Sequence, residues 1–541
     1  MCRRVRAPST RVRRSGFPLW AMFPVVFAAV VLAHWTLLRL PYFWDEAGYY
    51  IPAAWDFFRT GTLIPATTTS NAHPPMPSLL LAGWWRVFGF SVVATRVLVC
   101  GVAAAALVGV YRLVKGIAGA SAAMATMVLT AIYPVWFAQS SLAHADIFAA
   151  AFTLWGLSFY FVRREDPATG EPLEAAWLER VGAAVMFACA ALSKETAIVT
   201  PVALAGLELW LAMRMWWMDR EPRRWLGVHL AWVGTLVAPV LPLLGWYGYH
   251  WRKTGFVFGN PEFLRYNATA NLGAYRIALC LWHRALHMTT HMNLFVATGC
   301  AVAAMMMPAV VGRGRLSRGV MTGLGVVVIA NWLEFSVLGG ALLTRYLLPV
   351  FPIVMMLCVV EWRRGLRQWG GMAALAAAGF LAGIWVNPPY AFAPEDNLAY
   401  RDMIVLHQEA VSLIAKRYPA ATVLTAWPGT QEFERPELGY IAVPMKTVGI
   451  KNFSYEEMQK AAGDPGGYDT AMIFSTKWEP ANGKAHVTFG QGNDEKYFDF
   501  HHDLRPAEAA RRLHGDVVWE GYRKGEWAAV LRFPRVVNAS N

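Results

Sequence analysis

Five places in the sequence set ionisable side chains against apolar surroundings: Asp45 with Glu46, His73 ahead of Pro74 and Pro75, His144 with Asp146, Lys194 with Glu195, and Arg345 with Tyr346. Singly, each has an ordinary explanation. A carboxylate can cap a helix, a histidine can sit in a loop, and an arginine can snorkel to a membrane surface. Together they supply two acidic points and three basic ones. A carboxylate can take the proton from an acceptor hydroxyl, while cations bind a phosphate leaving group and stabilise the charge that grows on it. That combination suits a reaction on a lipid-linked sugar phosphate at a membrane surface. Such a donor needs no nucleotide, and neither a phosphate-binding G-x-x-x-x-G-K-[ST] loop nor a dinucleotide glycine fingerprint occurs.

The elements that must position these residues are membrane helices. The chain is 56% hydrophobic, carries 25 Trp and has a mean hydropathy of +0.33, above the apolar share of roughly 45–50% usual for soluble domains. Apolar stretches occur near 17–38, 92–110, 120–138, 147–162, 181–192, 197–213, 226–247, 292–311, 320–338, 346–360 and 372–386. The first is long enough for a hydrocarbon core of roughly 30 Å and lacks a small-residue cleavage site, so it reads as a retained anchor. Alternate connections hold the positive charge: Arg112 and Lys115, Arg163 and Arg164, Arg214 with Arg220, Arg223 and Arg224, Arg313 with Arg315 and Arg318, and Arg363 with Arg364 and Arg367. The N-terminal run from Arg3 to Arg14 falls on the same side by span parity. The positive-inside rule therefore puts the N-terminus in the cytoplasm and all five ionisable places on the outer face. The expected localisation is a bacterial inner (plasma) membrane, multi-pass, facing the cell envelope.

Charge and cysteine usage narrow the partners. The net charge is +13, but residues 386–541 hold 17 Lys+Arg against 20 Asp+Glu, so the basic excess belongs to the membrane part. It sits in short loops instead of one stripe with interleaved aromatics, which argues against nucleic acid. The six cysteines lie far apart and indicate neither a disulfide framework nor a thiolate metal site.

The outer loop 41–90 contains two amphipathic pieces, 49–59 and 78–88, read as interfacial helices with Trp55, Trp84 and Trp85 at headgroup depth. A second long outer loop covers 248–291 and mixes arginines with aromatics. From 387 the chain reads as a separate, soluble α/β sandwich on the external side: helical periodicity over 400–417, then strands over 421–426, 440–443, 468–474, 516–522 and 526–533. The two expected domains are 1–386 and 387–541. The cluster Asp499, His501, His502, Asp503 and His514 lacks helical ligand spacing and reads as a solvated loop. No metal ligand or cofactor is identified, and a divalent metal stays open. The sequons at Asn267, Asn452 and Asn538 say little without a glycosylating host.

The ordered set of motifs resembles one family. Phe43-Trp44-Asp45-Glu46 with Tyr49, His73-Pro74-Pro75-Met76-Pro77-Ser78-Leu79-Leu80 ending in Phe88-Gly89, Arg96, Asp146 after an Ala-His pair, Leu192-Ser193-Lys194-Glu195-Thr196 and Thr344-Arg345-Tyr346-Leu347-Leu348-Pro349 are similar, in this order, to the GT-C glycosyltransferases of the protein O-mannosyltransferase and aminoarabinose transferase group (family 39-like). The resemblance covers 17 to about 360. It implies a polytopic α-helical fold of GT-C type with about 11 spans, and an inverting transferase that moves a hexosyl or pentosyl group from a polyprenyl-phosphate donor to an extracytoplasmic lipid, glycan or protein. It also implies Asp45 as acceptor-activating base with Glu46 beside it, Asp146 as a second carboxylate, and Lys194, Arg345 with Tyr346, and His73 or Arg96 around the donor phosphate. The tail does not resemble the β-trefoil module of eukaryotic O-mannosyltransferases. A transporter or flippase of lipid-linked sugars is the alternative. Transporters place their charges near the bilayer midplane in broken helices, often with repeated halves, and neither feature is present here.

Overall fold

The computed structural model describes residues 18–69, 73–161, 177–218, 223–261, 264–265, 268, 272–338, 340–464, 466–477, 491–498 and 501–533. The N-terminal arginines, Arg163, Arg164, Arg220, Asp499 and the sequons at Asn267 and Asn538 lie outside this set. The protein is mostly helical and carries one small sheet near its C-terminus.

Helices occupy each of the apolar stretches read from the sequence. They are α1 (Leu19–Ala33), then α2 (Ile51–Thr60) and α3 (Met76–Phe88) in the first loop, followed by α4 (Val92–Ala118), α5 (Ala120–Ile132), α6 (Pro134–Gln139), α7 (Ala145–Phe161), α8 (Trp177–Ser193) and α9 (Val199–Met218). Next come α10 (Arg223–Val237), α11 (Val240–Thr254), α12 (Ala274–Thr289), α13 (Leu294–Met305), α14 (Arg318–Val337), α15 (Phe351–Gly365) and α16 (Gly370–Trp385). Among the described residues, four helical stretches, Val92–Ala118, Glu195–Trp217, Leu226–Thr254 and Arg318–Val337, are long and apolar enough by themselves to cross a membrane. The chain is a multi-pass membrane protein.

α4 is the central element. The Ser91 hydroxyl accepts from the Ala94 amide to cap its start, and Gly119, at φ +86°, ends it. α1, α5 and α7 pack around it, and α8 packs on α7. Small residues set that spacing: a Cβ on Gly156 would lie 2.8 Å from the Phe187 ring, so α7 and α8 approach only because position 156 has no side chain. Trp85, expected at headgroup depth, is instead 1% exposed and donates its indole N–H to the Thr95 hydroxyl at 2.9 Å. An amphipathic helix presses this face onto α4, and the hydrogen bond makes a buried tryptophan affordable. The second long loop is not irregular either: α12 crosses it, with Arg276 and Arg284 buried.

In the tail, α17 (Ala399–Arg417) packs on a five-stranded sheet with the order β2-β1-β3-β5-β4. The strands are β1 (Val423–Ala426), β2 (Thr447–Ile450), β3 (Thr470–Phe474), β4 (Asp516–Arg523) and β5 (Glu526–Arg532). β1 runs parallel to β2 and β3, whereas β5 runs antiparallel to β3 and β4. The expected β-hairpin at 516–533 is present, turning through Lys524 and Gly525 at φ +48° and +98°. Residues 440–443 form no strand; the edge strand is 447–450. The 440 segment is drawn away by the membrane part: the Tyr42 amide donates to the Leu438 carbonyl at 3.2 Å, and the Tyr440 hydroxyl to the Tyr42 carbonyl at 3.1 Å. The tail thus rests on the 41–90 loop, as a single sheet backed by helices.

Candidate active site

Asp45 lies at a break in the backbone. Trp44 before it has φ +47°, a left-handed conformation costly for a bulky residue. Glu46–Tyr50 after it form a π-helical turn that leads into α2. Local geometry of both kinds concentrates at functional sites. The Asp45 side chain is 18% exposed, against 3% for Asp146 and 4% for Glu395, so of these three carboxylates it is the one open to the cleft.

Arg345 is the hub. It stands on a 3-10 turn, Thr344–Leu347, between α14 and α15, and its guanidinium faces three carboxylates. Nη2 bonds Asp45 Oδ2, Nη1 donates to Glu395 Oε1 at 2.6 Å, and Nε lies 3.2 Å from Asp146 Oδ2. Lys194, from the loop after α8, donates to Asp146 Oδ1 at 2.7 Å and lies 3.8 Å from the Tyr346 ring centroid. Asp146, in the first turn of α7, therefore holds both cations in place. Burial pushes the Glu395 carboxyl up to about 8, against the opposing pull of Arg345. Arg284 holds the whole turn from behind: its guanidinium donates to the carbonyls of Leu343 at 2.5 Å and Ala341 at 3.3 Å.

Asp45, Lys194, Arg345, Tyr346 and Glu395 line a cleft of about 1970 Å³ between the helices and the tail. His73 is on another part of its wall, with Nδ1 3.1 Å from Glu195 Oε2. Glu46 and Arg96 are not on the wall. They form a buried bidentate pair, Nη1 to Oε1 at 2.8 Å and Nη2 to Oε2 at 3.0 Å. Glu46 also accepts from the amides of Phe43 and Ala143, and Arg96 donates to the carbonyls of Pro41 and Ser141. The pair ties the Asp45 turn to α4 and to the loop before α7. Among the described residues, no three His, Cys, Asp or Glu side chains gather as a metal site. His501 instead pairs with Asp503 at 3.3 Å, and Asp503 accepts from Thr476. The five described cysteines are unpaired.

Residues 72–246 match the sequence profile of the family described as dolichyl-phosphate-mannose-protein mannosyltransferase. The backbone is similar to that of ArnT from Cupriavidus metallidurans: the apo form superposes with a TM-score of 0.54 at 15% identity, covering 94% of this chain and 97% of that one. A second ArnT structure, bound to undecaprenyl phosphate, gives 0.53 at 16% identity over 94% and 98%. No curated protein sequence matches the chain. The matched segment contains His73, Arg96, Asp146 and Lys194, and the fold brings Asp45 and Arg345 to them. Part of the chain is thus similar to the O-mannosyltransferase family, and the whole backbone is similar in fold to ArnT.

Sequence reasoning misses four parts of this cleft. Glu395 and Asp396 form an acidic pair just beyond the last apolar stretch, as Asp45 and Glu46 do beyond the first, and that same signal could have found them. Asp396 Oδ2 accepts from Thr344 and His291, each at 2.9 Å, and His291 Nδ1 lies 3.1 Å from the Tyr390 hydroxyl. Arg284 and His283 stand side by side on α12, and His283, His287 and His291 recur every four residues along α12 and into the turn after it, a stripe hidden inside what reads as a loop. Glu334 lines the cleft from the last turn of α14. Trp427, Lys451 and Lys477 come from the tail, which no motif connected to the site.

Proposed function

We propose that this protein is a glycosyltransferase that moves a sugar from a polyprenyl-phosphate donor to a hydroxyl of an extracytoplasmic lipid, glycan or protein, with inversion at the anomeric carbon. The observation that carries the reading is Arg345: a buried guanidinium beside Lys194, opening on the same cleft as Asp45. The undecaprenyl phosphate bound by an ArnT of the same fold supports the donor class. Asp45 takes the acceptor proton, the freed oxygen attacks the anomeric carbon, and the bond from that carbon to the phosphate oxygen breaks. The electron pair leaves with the phosphate, whose charge Lys194 and Arg345 neutralise. Asp146 orients both cations. Tyr346 underlies the Lys194 ammonium, His73 with Glu195 borders the donor pocket, and Glu46 with Arg96 positions Asp45 from within the protein.

The same reading sets the chain in a bacterial inner membrane with eleven spans, residues 1–386 as catalytic unit and 387–541 outside with the 41–90 loop. Alternating loop charge supports it. Cysteines placed on a Cys-free background and labelled with an impermeant maleimide should react at Ser454 but not at Gly314 in intact cells; the reverse pattern overturns the orientation. For the reaction, mass spectrometry of lipids, glycans and exported proteins should lose one sugar modification in cells whose only copy is Asp45→Asn. Lys194→Met and Arg345→Met should each raise the KM for the lipid donor or lower kcat, by roughly tenfold or more, as loss of a charge-assisted contact of about 1.5–3 kcal/mol implies. Arg313→Met, remote from the cleft, is the control. Donor kinetics unchanged in both outer-face variants would move the donor pocket toward Arg265 or Arg276.

A further inference from the structure

The tail's parallel strands all end at the cleft. Trp427 follows β1 directly, Lys451 and Asn452 follow β2, and Thr476 and Lys477 follow β3 after one residue; all five line the cavity that contains Asp45 and Arg345. The order β2-β1-β3 means that the chain leaves β1 to one side and returns to pair on the other. In open α/β sheets, ligands sit outside the carboxyl ends of strands at such a reversal. Trp427 occupies it here.

Trp427 also reaches the catalytic turn. Its ring lies edge-on to Trp44, centroids 5.2 Å apart, and 5.5 Å from the Tyr49 ring. Position 48 must be glycine for this contact, because a Cβ there would stand 2.5 Å from the Trp427 ring. Three half-buried aromatic rings thus bracket Asp45, one of them supplied by the tail. Aromatic faces of this kind stack on the C–H face of a sugar ring. Lys451, Lys477 and Lys496 line the same cavity together with Glu495, while Glu395 and Asp396 face Arg345 and His291.

We propose that the carboxyl edge of β2-β1-β3 is the acceptor subsite, built to take an acidic saccharide with its ring on Trp427 and its anion among Lys451, Lys477 and Lys496. This rests on the transferase reading above, which places the donor phosphate at Arg345 on the cleft's other wall. It gives the tail a part in choosing the acceptor and leaves donor recognition to the membrane helices.

The test uses the full-length protein in lipid nanodiscs, with trigalacturonic acid as acidic probe, maltotriose as neutral probe and undecaprenyl phosphate as donor-side probe. Trigalacturonic acid should bind, weaken with added salt, and exceed maltotriose by roughly tenfold or more. Trp427→Leu and the pair Lys451→Met with Lys477→Met should each lose roughly tenfold for trigalacturonic acid, and Trp427→Phe should recover part of it. Undecaprenyl phosphate should bind these variants as it binds the parent, which also reports that they are folded, and should be lost in Arg345→Met. Equal binding of the two saccharides, no binding of the acidic one, or its unchanged binding in folded Trp427→Leu and the lysine pair overturns the proposal. Failure of undecaprenyl phosphate to bind the parent overturns the donor reading instead.

Discussion

Two acidic pairs meet at Arg345, and each is divided in the same way. Asp45 and Glu46 follow the first apolar stretch, Glu395 and Asp396 the last. In each pair one carboxylate meets Arg345 and the other turns inward, Glu46 to Arg96 and Asp396 to His291 and Thr344. The difference lies in exposure. Asp45 keeps an open edge, while Glu395 is buried behind the guanidinium. Two neighbouring carboxylates therefore divide into a reacting group and an anchor through the partner each finds. The open edge of Asp45 suits it to the proposed role of proton acceptor, and Glu395 would compete locally for the cation proposed to meet the donor.

The sharpest break of this comparison is Asp45→Asn. An amide keeps the shape and can still accept from Arg345, but it cannot take a proton, so turnover should fall by about 10²–10⁴ while insertion and thermal stability hold. Near-parental turnover by the purified variant removes Asp45 from the chemistry. The inward partner should fail differently. Arg96→Met leaves Glu46 buried without its cation and should cost about 3–5 kcal/mol of stability. A lowered unfolding temperature in detergent, with parental KM in whatever fraction stays folded, is the expected signature; an unchanged unfolding temperature would mean that the pair is not what holds the Asp45 turn.

A smaller effect concerns Glu395. Its carboxyl titrates near 8, so it is mainly neutral at pH 7 and ionised at pH 9.5. Once ionised it holds Arg345 harder against a competing phosphate. Donor affinity should therefore decline a few-fold as pH rises from 7 through 8, and Glu395→Gln should flatten the decline. Undecaprenyl phosphate binding above pH 7, where the phosphate monoester itself is past its second ionisation near pH 6, reads this directly. A parental curve flat across that range breaks the idea. Glu526, at the start of β5, sharpens the contrast because it is a buried acid that, among the described residues, meets the Ser475 hydroxyl at 3.4 Å and no cation. Burial raises it from 4.5 to about 8. The folded state then binds a proton that the unfolded chain releases between those values, so stability is fully present below about pH 4.5 and is lost as pH rises through about 8. Glu526→Gln should unfold at a higher temperature than the parent at pH 9 and at nearly the same one at pH 4.5; equal unfolding temperatures at pH 9 would rule this out.

Much of the site was legible because membrane sequence is restrictive. A charge beside an apolar stretch is costly and stands out, and Asp45, His73, Asp146, Lys194 and Arg345 all carry that mark. Glu395 and Asp396 carried the same mark. They went unread because they fall where the chain turns soluble and acidic, so a carboxylate no longer looks unusual. Arg96 and Glu46 were visible as charges, but the sequence could not say that they would satisfy each other inside the protein. The edge strand at 447–450 was hidden by its glycine and short length, and the 440–443 segment looked like a strand because nothing local shows that Tyr440 is claimed by Tyr42.

The sequence by itself determined a multi-pass helical protein with its ionisable groups at span ends, because hydropathy and charge bias act locally along the chain and need no partner to be read. Tertiary structure alone decided which charge meets which. Asp45 and Arg345 are 300 residues apart. Trp427 reaches Asp45's turn only because the tail's parallel strands end over it. Pairing, burial and exposure depend on what the folded chain places alongside each group, and it is these that make one carboxylate open and its neighbour inert.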